Sequence, residues 1–156
     1  MAKKIGDGEL ETATALASLN LNRLLGSKEN GRVLPILHLN GYKISAPTIY
    51  GRISERELLS LFRGYGYNPV IVDGTRTEEF QMVLADAAPD TFIIMKTPKG
   101  YSGPQELDGL KLEGNCASHQ VPLPKAKTDR KQLKMLQEWL ESYKFKELYD
   151  EFAHHD

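Results

Sequence analysis

The stretch VLPILHLNGYKIS, residues 33–45, contains the features that decide the fold of this chain. The almost continuous apolar run at 33–39 is typical of a strand that is covered on both faces of a parallel sheet. The run ends at Asn40, and the Asn-Gly pair that it forms with Gly41 is common in turns. Pro35 counts against a central position in the sheet, because proline cannot donate a hydrogen bond to a neighbouring strand.

The segments around this run alternate between helical and strand patterns. Ser54 with Glu57 forms a capping box, as does Thr75 with Glu78, and each predicts the start of a helix. The predicted elements are helices at 9–25, 54–66, 75–87 and 129–143 and strands at 33–39, 69–74 and 91–97. An alternation of helices and strands predicts parallel strands with helical crossovers, so the fold class is α/β, with a small mainly parallel sheet flanked by helices.

Composition excludes several classes of protein. The 156 residues are 40% hydrophobic, enough for one domain over 1–156 with a core. A net charge of −1, with 20 basic and 21 acidic residues, leaves no electrostatic footprint for nucleic acid or an anionic membrane. Cys116 is the one cysteine, so no internal disulfide forms, and a cytoplasmic protein is expected. No apolar run approaches the roughly 20 residues of a membrane span, and the start has no signal-peptide core.

Three parts of the chain are expected to lie outside the regular elements. Ile5 ends a stub that is too short and too basic for a good buried strand. Residues 98–128 form a long segment without periodicity, which in a small domain is functional or disordered. The tail at 151–156 is expected to fray, leaving His154 and His155 in solvent.

A second motif, GDGELE at 6–11, places Asp7 in a Gly-flanked turn at the expected start of the first helix. Because the carboxyl ends of parallel strands share one edge of a sheet, Asp7 and Asn40 are expected at the same edge. Carboxylate and amide oxygens suit Mg²⁺ or Ca²⁺ bridging phosphate oxygens, and the amides of Gly8 and Glu9 suit a diphosphate. Two ordinary turns account for the same residues, and spacing alone favours the turns.

Six stretches, in order along residues 6–151, closely resemble the phosphoketolases that act on xylulose 5-phosphate and fructose 6-phosphate. They are GDGELET, VLPILHLNGYKIS, ELLSLFRGYGY, KTPKGYSGP, SHQVPLPKA and LQEWLESYKFKELYDE. The resemblance implies part of the three-layer thiamine-diphosphate-binding domain of that family. Family enzymes cleave a ketose phosphate with inorganic phosphate, giving acetyl phosphate and a shorter aldose phosphate.

The resemblance also implies roles for individual residues. Asp7, Asn40 and the backbone carbonyl of Tyr42 correspond to the metal ligands. Lys99 corresponds to a lysine that faces the substrate phosphate, and His119 to a histidine near cofactor and substrate. The remaining cofactor contacts that it implies are Gly6, Gly8 and Glu9 at the diphosphate and Ile44 beside the thiazolium ring. Without the resemblance, Lys99 is a solvated loop cation and His119 a loop histidine.

Departures from the family pattern leave more than one function open. The strand before GDG, further sheet strands and the pyrimidine-binding domain are expected to be missing. After GDGELET this chain has Ala13 and Thr14 where the family continues Gly-Pro. The first hypothesis is that the chain contributes the diphosphate and metal half-site of a phosphoketolase, with a second copy or a partner chain supplying the rest. The alternatives are a remnant that binds a phosphorylated metabolite or a protein without turnover, and a degenerate product.

Three other side chains are interpreted as structural. His38, on a predicted strand, is expected to be a packed and hydrogen-bonded histidine. Cys116 has no activating partner in the sequence and is not assigned as a nucleophile. Trp139 and the apolar stripe of the last helix are expected to form core or interface.

Overall fold

The computed structural model describes residues 1–24 and 31–147. The tail at 151–156, with His154 and His155, lies outside the described residues, as does the predicted end of the first helix at Leu25.

A four-stranded parallel sheet forms the centre of the molecule. Its strands are β1 (Ala2–Gly6), β2 (Leu34–Leu39), β3 (Asn68–Asp73) and β4 (Thr91–Lys96), in the spatial order β1-β2-β4-β3. The sequence therefore predicted β2, β3 and β4 to within one residue at each end. The α/β fold class with a mainly parallel sheet is confirmed.

Helices cover both faces of this sheet. The α-helices of the described residues are α1 (Asp7–Leu10), α2 (Ala13–Ser18), α3 (Leu21–Leu24), α4 (Glu55–Gly64), α5 (Thr77–Ala85) and α6 (Arg130–Ser142). Side chains alternate across a strand, so β4 contributes Phe92 to one face and Ile93 to the other. Phe92 packs in a cluster with Phe62 of α4, whereas Ile93 packs in a separate cluster with Phe80 of α5. The described part of the chain thus has three layers.

The larger core lies between the sheet and α4. The rings of Phe62 and Phe92 stack with their centroids 3.9 Å apart, and Tyr67 meets Phe92 edge to face at 5.3 Å. Leu58, one turn before Phe62, is 1% exposed. The capping box that the sequence predicted at the start of α4 is present, because the Ser54 hydroxyl accepts from the Glu57 amide and the Glu57 carboxylate accepts from Ser54.

The segment before β2 differs from its prediction in two ways. The expected stub is an edge strand: β1 pairs with β2 along its whole length and buries Ile5, while its lysines stay exposed. A strand therefore does precede GDG. The single helix expected from Glu9 is three short helices, and the second begins where the Thr12 hydroxyl accepts from the Ala15 amide at 3.4 Å.

Two local predictions elsewhere were wrong. Pro35 lies in a central strand, which is tolerated because the ladder between β2 and β4 begins only at Ile36. The second predicted capping box does not form. The Thr75 hydroxyl instead donates to the Asp73 carboxylate at 2.7 Å, and α5 begins after Arg76 without a side-chain cap.

The segment after β4 consists of turns, a short hairpin and a 3₁₀ helix. The hairpin strands are β5 (Glu106–Leu107) and β6 (Leu110–Lys111), and 3₁₀ helices span Cys116–His119 and Phe145–Glu147. The stripe of α6 does not pack into the core, since Leu133 is 52% and Leu140 45% exposed. None of the described helices is both long and apolar enough to span a bilayer.

Candidate functional site

The two predicted ligands lie together at the carboxyl edge of the sheet. Asp7 directly follows β1, Asn40 directly follows β2, and the two strands are paired in parallel up to Gly6 and His38. The Asp7 carboxylate accepts a hydrogen bond from the amide of Gly41 at 2.7 Å, one residue beyond Asn40. The sequence predicted this juxtaposition from the topology alone.

Asp7 is almost completely buried, with 2% of its surface exposed. Besides the Gly41 amide, its carboxylate accepts from the amide of Gly8 at 3.0 Å and from the hydroxyl of Thr48 at 3.0 Å. These three donors are all neutral. Among the residues that the structure describes, no lysine, arginine or histidine forms an ion pair with Asp7.

A buried carboxylate without an ion pair is costly unless a cation or strong hydrogen bonds compensate it. An ionised carboxylate has about four acceptor positions, and the contacts of Asp7 use three of them. One position is therefore not used by a hydrogen bond to the described residues. The residues at this edge fit a hard divalent ion, which would take oxygens from Asp7, from the side chain of Asn40 and from the carbonyl of Tyr42.

The carbonyl of Tyr42 already faces a cation of the chain itself. The ammonium of Lys99 donates to this oxygen at 3.2 Å. The amide oxygen of Asn40 accepts from the Tyr42 amide at 3.1 Å, which folds the turn after β2. The resemblance implies that Lys99 faces the substrate phosphate and that Tyr42 is a metal ligand. In the structure, a hydrogen bond joins these two residues.

A second carboxylate, that of Glu11, holds the same loop from one helical turn further along. One of its oxygens accepts from the amide of Ile49 at 2.7 Å and the other from the ammonium of Lys43 at 2.6 Å. These two hydrogen bonds, that from Lys43 first, hold the pKa of Glu11 below its ordinary value. We refer to residues 40–49, which contact Asp7 and Glu11, as the edge loop.

Close backbone packing fixes the far end of the edge loop. The Gly51 amide donates to the hydroxyl of Thr48 at 3.1 Å. A Cβ atom on Gly51 would lie 2.6 Å from the Cα of Gly41, so no other residue fits there without a shift of the backbone. The backbone at Gly41, near the start of the edge loop, is therefore in close contact with the backbone at Gly51, just after its end.

His38 lines a cleft of about 300 Å³ together with Asn40, Thr97 and Tyr101. Its Nε2 lies 2.6 Å from the hydroxyl of Thr97, in agreement with the packed, hydrogen-bonded histidine that the sequence predicted. Burial, and to a smaller extent the charges of Lys4 and Lys99, lower the pKa of His38, while Asp7 acts in the opposite direction.

Among the described contacts, Glu9, Ile44 and His119 form no hydrogen bond with Asp7, Asn40 or Tyr42. Glu9 is exposed, and its carboxylate accepts from the amide of Gly6 at 3.3 Å. Ile44 is 62% exposed. His119 ends a 3₁₀ helix and is exposed, and its ring forms no hydrogen bond to another described residue. The segment before it does meet the Lys99 segment, since the Gly114 amide donates to the Lys99 carbonyl at 2.7 Å.

The start of α1 differs in two ways from the diphosphate-binding helix start that the sequence predicted. The amide of Gly8, expected at a diphosphate, donates to Asp7. The helix that it opens has four residues, so its dipole is small compared with that of a long helix. Within the described ranges, no group of three or more histidine, cysteine and acidic side chains is arranged for a metal. A cation here would rest on one carboxylate and neutral oxygens.

Comparison with known proteins identifies the family. The chain matches the family described as XFP N-terminal domain over residues 1–91 and 87–155. The chain belongs to this family.

Curated relatives agree with that assignment. A probable phosphoketolase from Mesorhizobium japonicum is 42% identical over 171 residues, covering 94% of this chain and 21% of the relative. Probable phosphoketolase 2 from Rhizobium meliloti is 42% identical over 170 residues, with 94% and 22% covered. Probable phosphoketolase 1 from Nostoc sp. is 41% identical over 170 residues, with 94% and 21% covered. The chain therefore spans about a fifth of the length of these relatives.

Two residues of the candidate site were missed by the sequence reasoning. Glu11 follows Asp7 at a spacing of four, which places two side chains on one helix face, so helical periodicity was a usable signal. Thr48 lies in an irregular loop and carried no such signal. Both became apparent only from the hydrogen bonds that they make to the edge loop and to Asp7.

Proposed function

We propose that this chain provides the diphosphate and metal half-site of a phosphoketolase-type enzyme. Asp7, Asn40 and the carbonyl of Tyr42 would hold Mg²⁺ or Ca²⁺, and this ion would bind the diphosphate of thiamine diphosphate. The cofactor, when bound, supplies the stabilisation of negative charge that cleavage of a carbon–carbon bond next to a carbonyl requires. The observation that carries the proposal is the buried carboxylate of Asp7, which has three neutral donors and one acceptor position left.

The remaining proposed contacts surround this ion. Gly6, Gly8 and Glu9 would lie along the diphosphate, with their backbone at the start of α1. Ile44 would pack against the thiazolium ring, and its exposed side chain is available for such a contact. Lys99 would bind the phosphate of a ketose phosphate after leaving the Tyr42 carbonyl.

The proposed reaction is phosphorolytic cleavage of xylulose 5-phosphate or fructose 6-phosphate to acetyl phosphate and an aldose phosphate. The family assignment and the printed names of the relatives support this substrate class. His119 would donate a hydrogen bond to an oxygen of the substrate. A second copy of the chain or a partner chain would cover the cofactor from the other side, because one half-site leaves the far end of the ligand in solvent.

Binding without turnover is a second candidate function. It is favoured by His119, which is exposed and has no hydrogen bond that orients its ring toward the described site. A general acid or hydrogen-bond donor must be held in position to contribute to catalysis. Formation of acetyl phosphate from fructose 6-phosphate and phosphate separates this candidate from the first.

The proposal is tested by calorimetric titration of thiamine diphosphate in the presence of Mg²⁺. The wild-type chain is expected to bind, and Asn40→Ala is expected to bind at least about tenfold more weakly, because it removes a side-chain oxygen from the cation. Asn68→Ala is the matched control, since Asn68 is an exposed asparagine at the opposite, amino end of β3. Equal binding by all three proteins, or no binding by the wild type, would contradict the proposal.

A further inference from the structure

The edge loop is attached to the first two turns after β1 by two carboxylates. Asp7 contacts its beginning and end, through the Gly41 amide at 2.7 Å and the Thr48 hydroxyl at 3.0 Å. Glu11 contacts its middle and its last residue, through the ammonium of Lys43 at 2.6 Å and the Ile49 amide at 2.7 Å. Of these two carboxylates, Asp7 alone has a proposed role toward a metal.

We infer that Glu11 is a positioning residue, which holds the edge loop so that Asn40 and Tyr42 present their oxygens beside Asp7. The inference rests on the proposed function, because the half-site that Glu11 would position is the proposed one. A cation at the free acceptor position of Asp7 attracts electron density from the carboxylate. This weakens the hydrogen bonds that the carboxylate accepts from Gly41 and Thr48. The contacts of Glu11 are independent of that cation, so they keep the edge loop in place.

The environment of Glu11 differs from that of an ordinary surface acid. Its side chain is 13% exposed, against 44% for its partner Lys43, so the carboxylate is the shielded member of the pair. Exposed ion pairs between such side chains contribute little to stability. The Ile49 backbone amide adds a second hydrogen bond to the same carboxylate, so Glu11 holds the edge loop at two points, Lys43 and Ile49.

Local packing also ties Lys43 to the first helix. A Cβ atom on Gly8 would lie 3.0 Å from Cγ of Lys43, so the lysine stem passes close to the backbone of α1 on its way to Glu11. The Lys43 amide donates to the Ala46 carbonyl at 2.7 Å, which closes the turn inside the edge loop. The ion pair therefore links Lys43, which directly follows Tyr42, to Glu11 at the end of α1.

The test compares Glu11→Ala and Glu11→Gln with the wild type in the titration of thiamine diphosphate with Mg²⁺. We expect Glu11→Ala to bind about tenfold more weakly, the low end of the loss typical for partners that orient metal ligands, because Glu11 holds Lys43 and Ile49, the neighbours of Tyr42 and Thr48. Glu11→Gln is expected to bind with an affinity between the two, because its amide oxygen still accepts from Ile49. Glu57→Gln is the matched control: Glu57 also accepts from a backbone amide and a side chain, but at the start of α4.

Hydrogen exchange gives a readout that does not require a ligand. In the wild type, exchange of the Ile49 amide is expected to be slow, and in Glu11→Gln it is expected to remain slower than in Glu11→Ala. All measurements are made well below the unfolding midpoint of each variant, so that global unfolding does not contribute. If Glu11→Ala does not fold, Glu11→Gln alone must still bind more weakly than Glu57→Gln.

The outcomes separate the inference from the proposed function. Wild-type binding that Glu11→Ala leaves unchanged would overturn the role of Glu11 and leave the half-site standing. Absence of binding by the wild type would overturn both. Weakened binding by Glu11→Ala and Glu57→Gln alike would also overturn the inference, because the loss would then reflect general destabilisation.

Discussion

The ammonium of Lys99 donates a hydrogen bond to the backbone carbonyl of Tyr42 over 3.2 Å. This contact places a positive charge on one of the three oxygens that are proposed to bind a divalent cation. A carbonyl oxygen has two lone pairs, but an ammonium and a metal ion at the same oxygen repel each other. The chain therefore holds its own cation where the metal would have to enter.

Replacing Lys99 with methionine should tighten the binding of a metal. We expect Lys99→Met to bind Mn²⁺ about tenfold more tightly than the wild type, because a charge-assisted hydrogen bond no longer has to be broken. The measurement is the free Mn²⁺ signal in electron paramagnetic resonance, in the absence of any phosphate ligand. Lys96→Met is the control. Lys96 pairs with Glu55, and its replacement removes the same charge at the same edge of the sheet. An equal gain in both variants would show a general charge effect and contradict this account.

Thr48 should stabilise the fold through its hydroxyl rather than its methyl group. It is 0% exposed, donates to Asp7 and accepts from the Gly51 amide. We expect Thr48→Val to lower the free energy of unfolding by about 2–3 kcal/mol, since it removes one of the three donors to a buried carboxylate and takes the acceptor away from the Gly51 amide. Urea unfolding measures the change. Thr91→Val should cost much less, because the Thr91 side chain, 5% exposed, forms no hydrogen bond with the described residues. Equal losses would contradict the prediction.

His38 should make the stability of the folded chain depend on pH in the weakly acidic range. Its pKa is lowered in the folded state from the ordinary value of 6.5, first by burial. The neutral form is therefore favoured on folding, so its contribution is fully present above that value and is lost as the pH falls through the folded pKa. The free energy of unfolding of the wild type should fall more than that of His38→Gln between about pH 7.5 and about pH 5. Parallel pH profiles for the two proteins would exclude this role of His38.

The apolar face of α6 should contribute less to stability than a core helix does. Leu140 is 45% exposed, whereas Leu58 of α4 is 1% exposed. We expect Leu58→Ala to cost about 2–5 kcal/mol of unfolding free energy and Leu140→Ala less than about 1 kcal/mol. Thermal or urea unfolding checks both. A large loss for Leu140→Ala that disappears on dilution would instead indicate that a second copy covers this face.

The strands were predictable because their signals are local and strong. The apolar runs at 33–39, 69–74 and 91–97 have no competing interpretation, and the structure places strands at all three. β1 was missed because an edge strand needs only one buried side chain, Ile5, and its lysines face solvent. The helix from Glu9 was mistaken for one element because the Thr12 side chain, which starts α2, resembles any polar helix residue in the sequence.

The site was predictable only where topology decides it. Asp7 and Asn40 follow neighbouring parallel strands, so the rule for sheet edges was enough to bring them together. The link from Lys99 to Tyr42 joins residues 57 positions apart, both in irregular segments, and no periodicity connects them. The same holds for Thr48 and Asp7, which are 41 positions apart.

Recognition of a metal-bound diphosphate by the described residues can be tested with one set of titrations. Thiamine diphosphate, inorganic pyrophosphate and thiamine are each titrated into the chain by calorimetry, with and without Mg²⁺. We expect Mg²⁺-dependent binding of both diphosphates and no binding of thiamine. Binding of thiamine, binding that is indifferent to Mg²⁺, or no binding of either diphosphate would contradict this expectation.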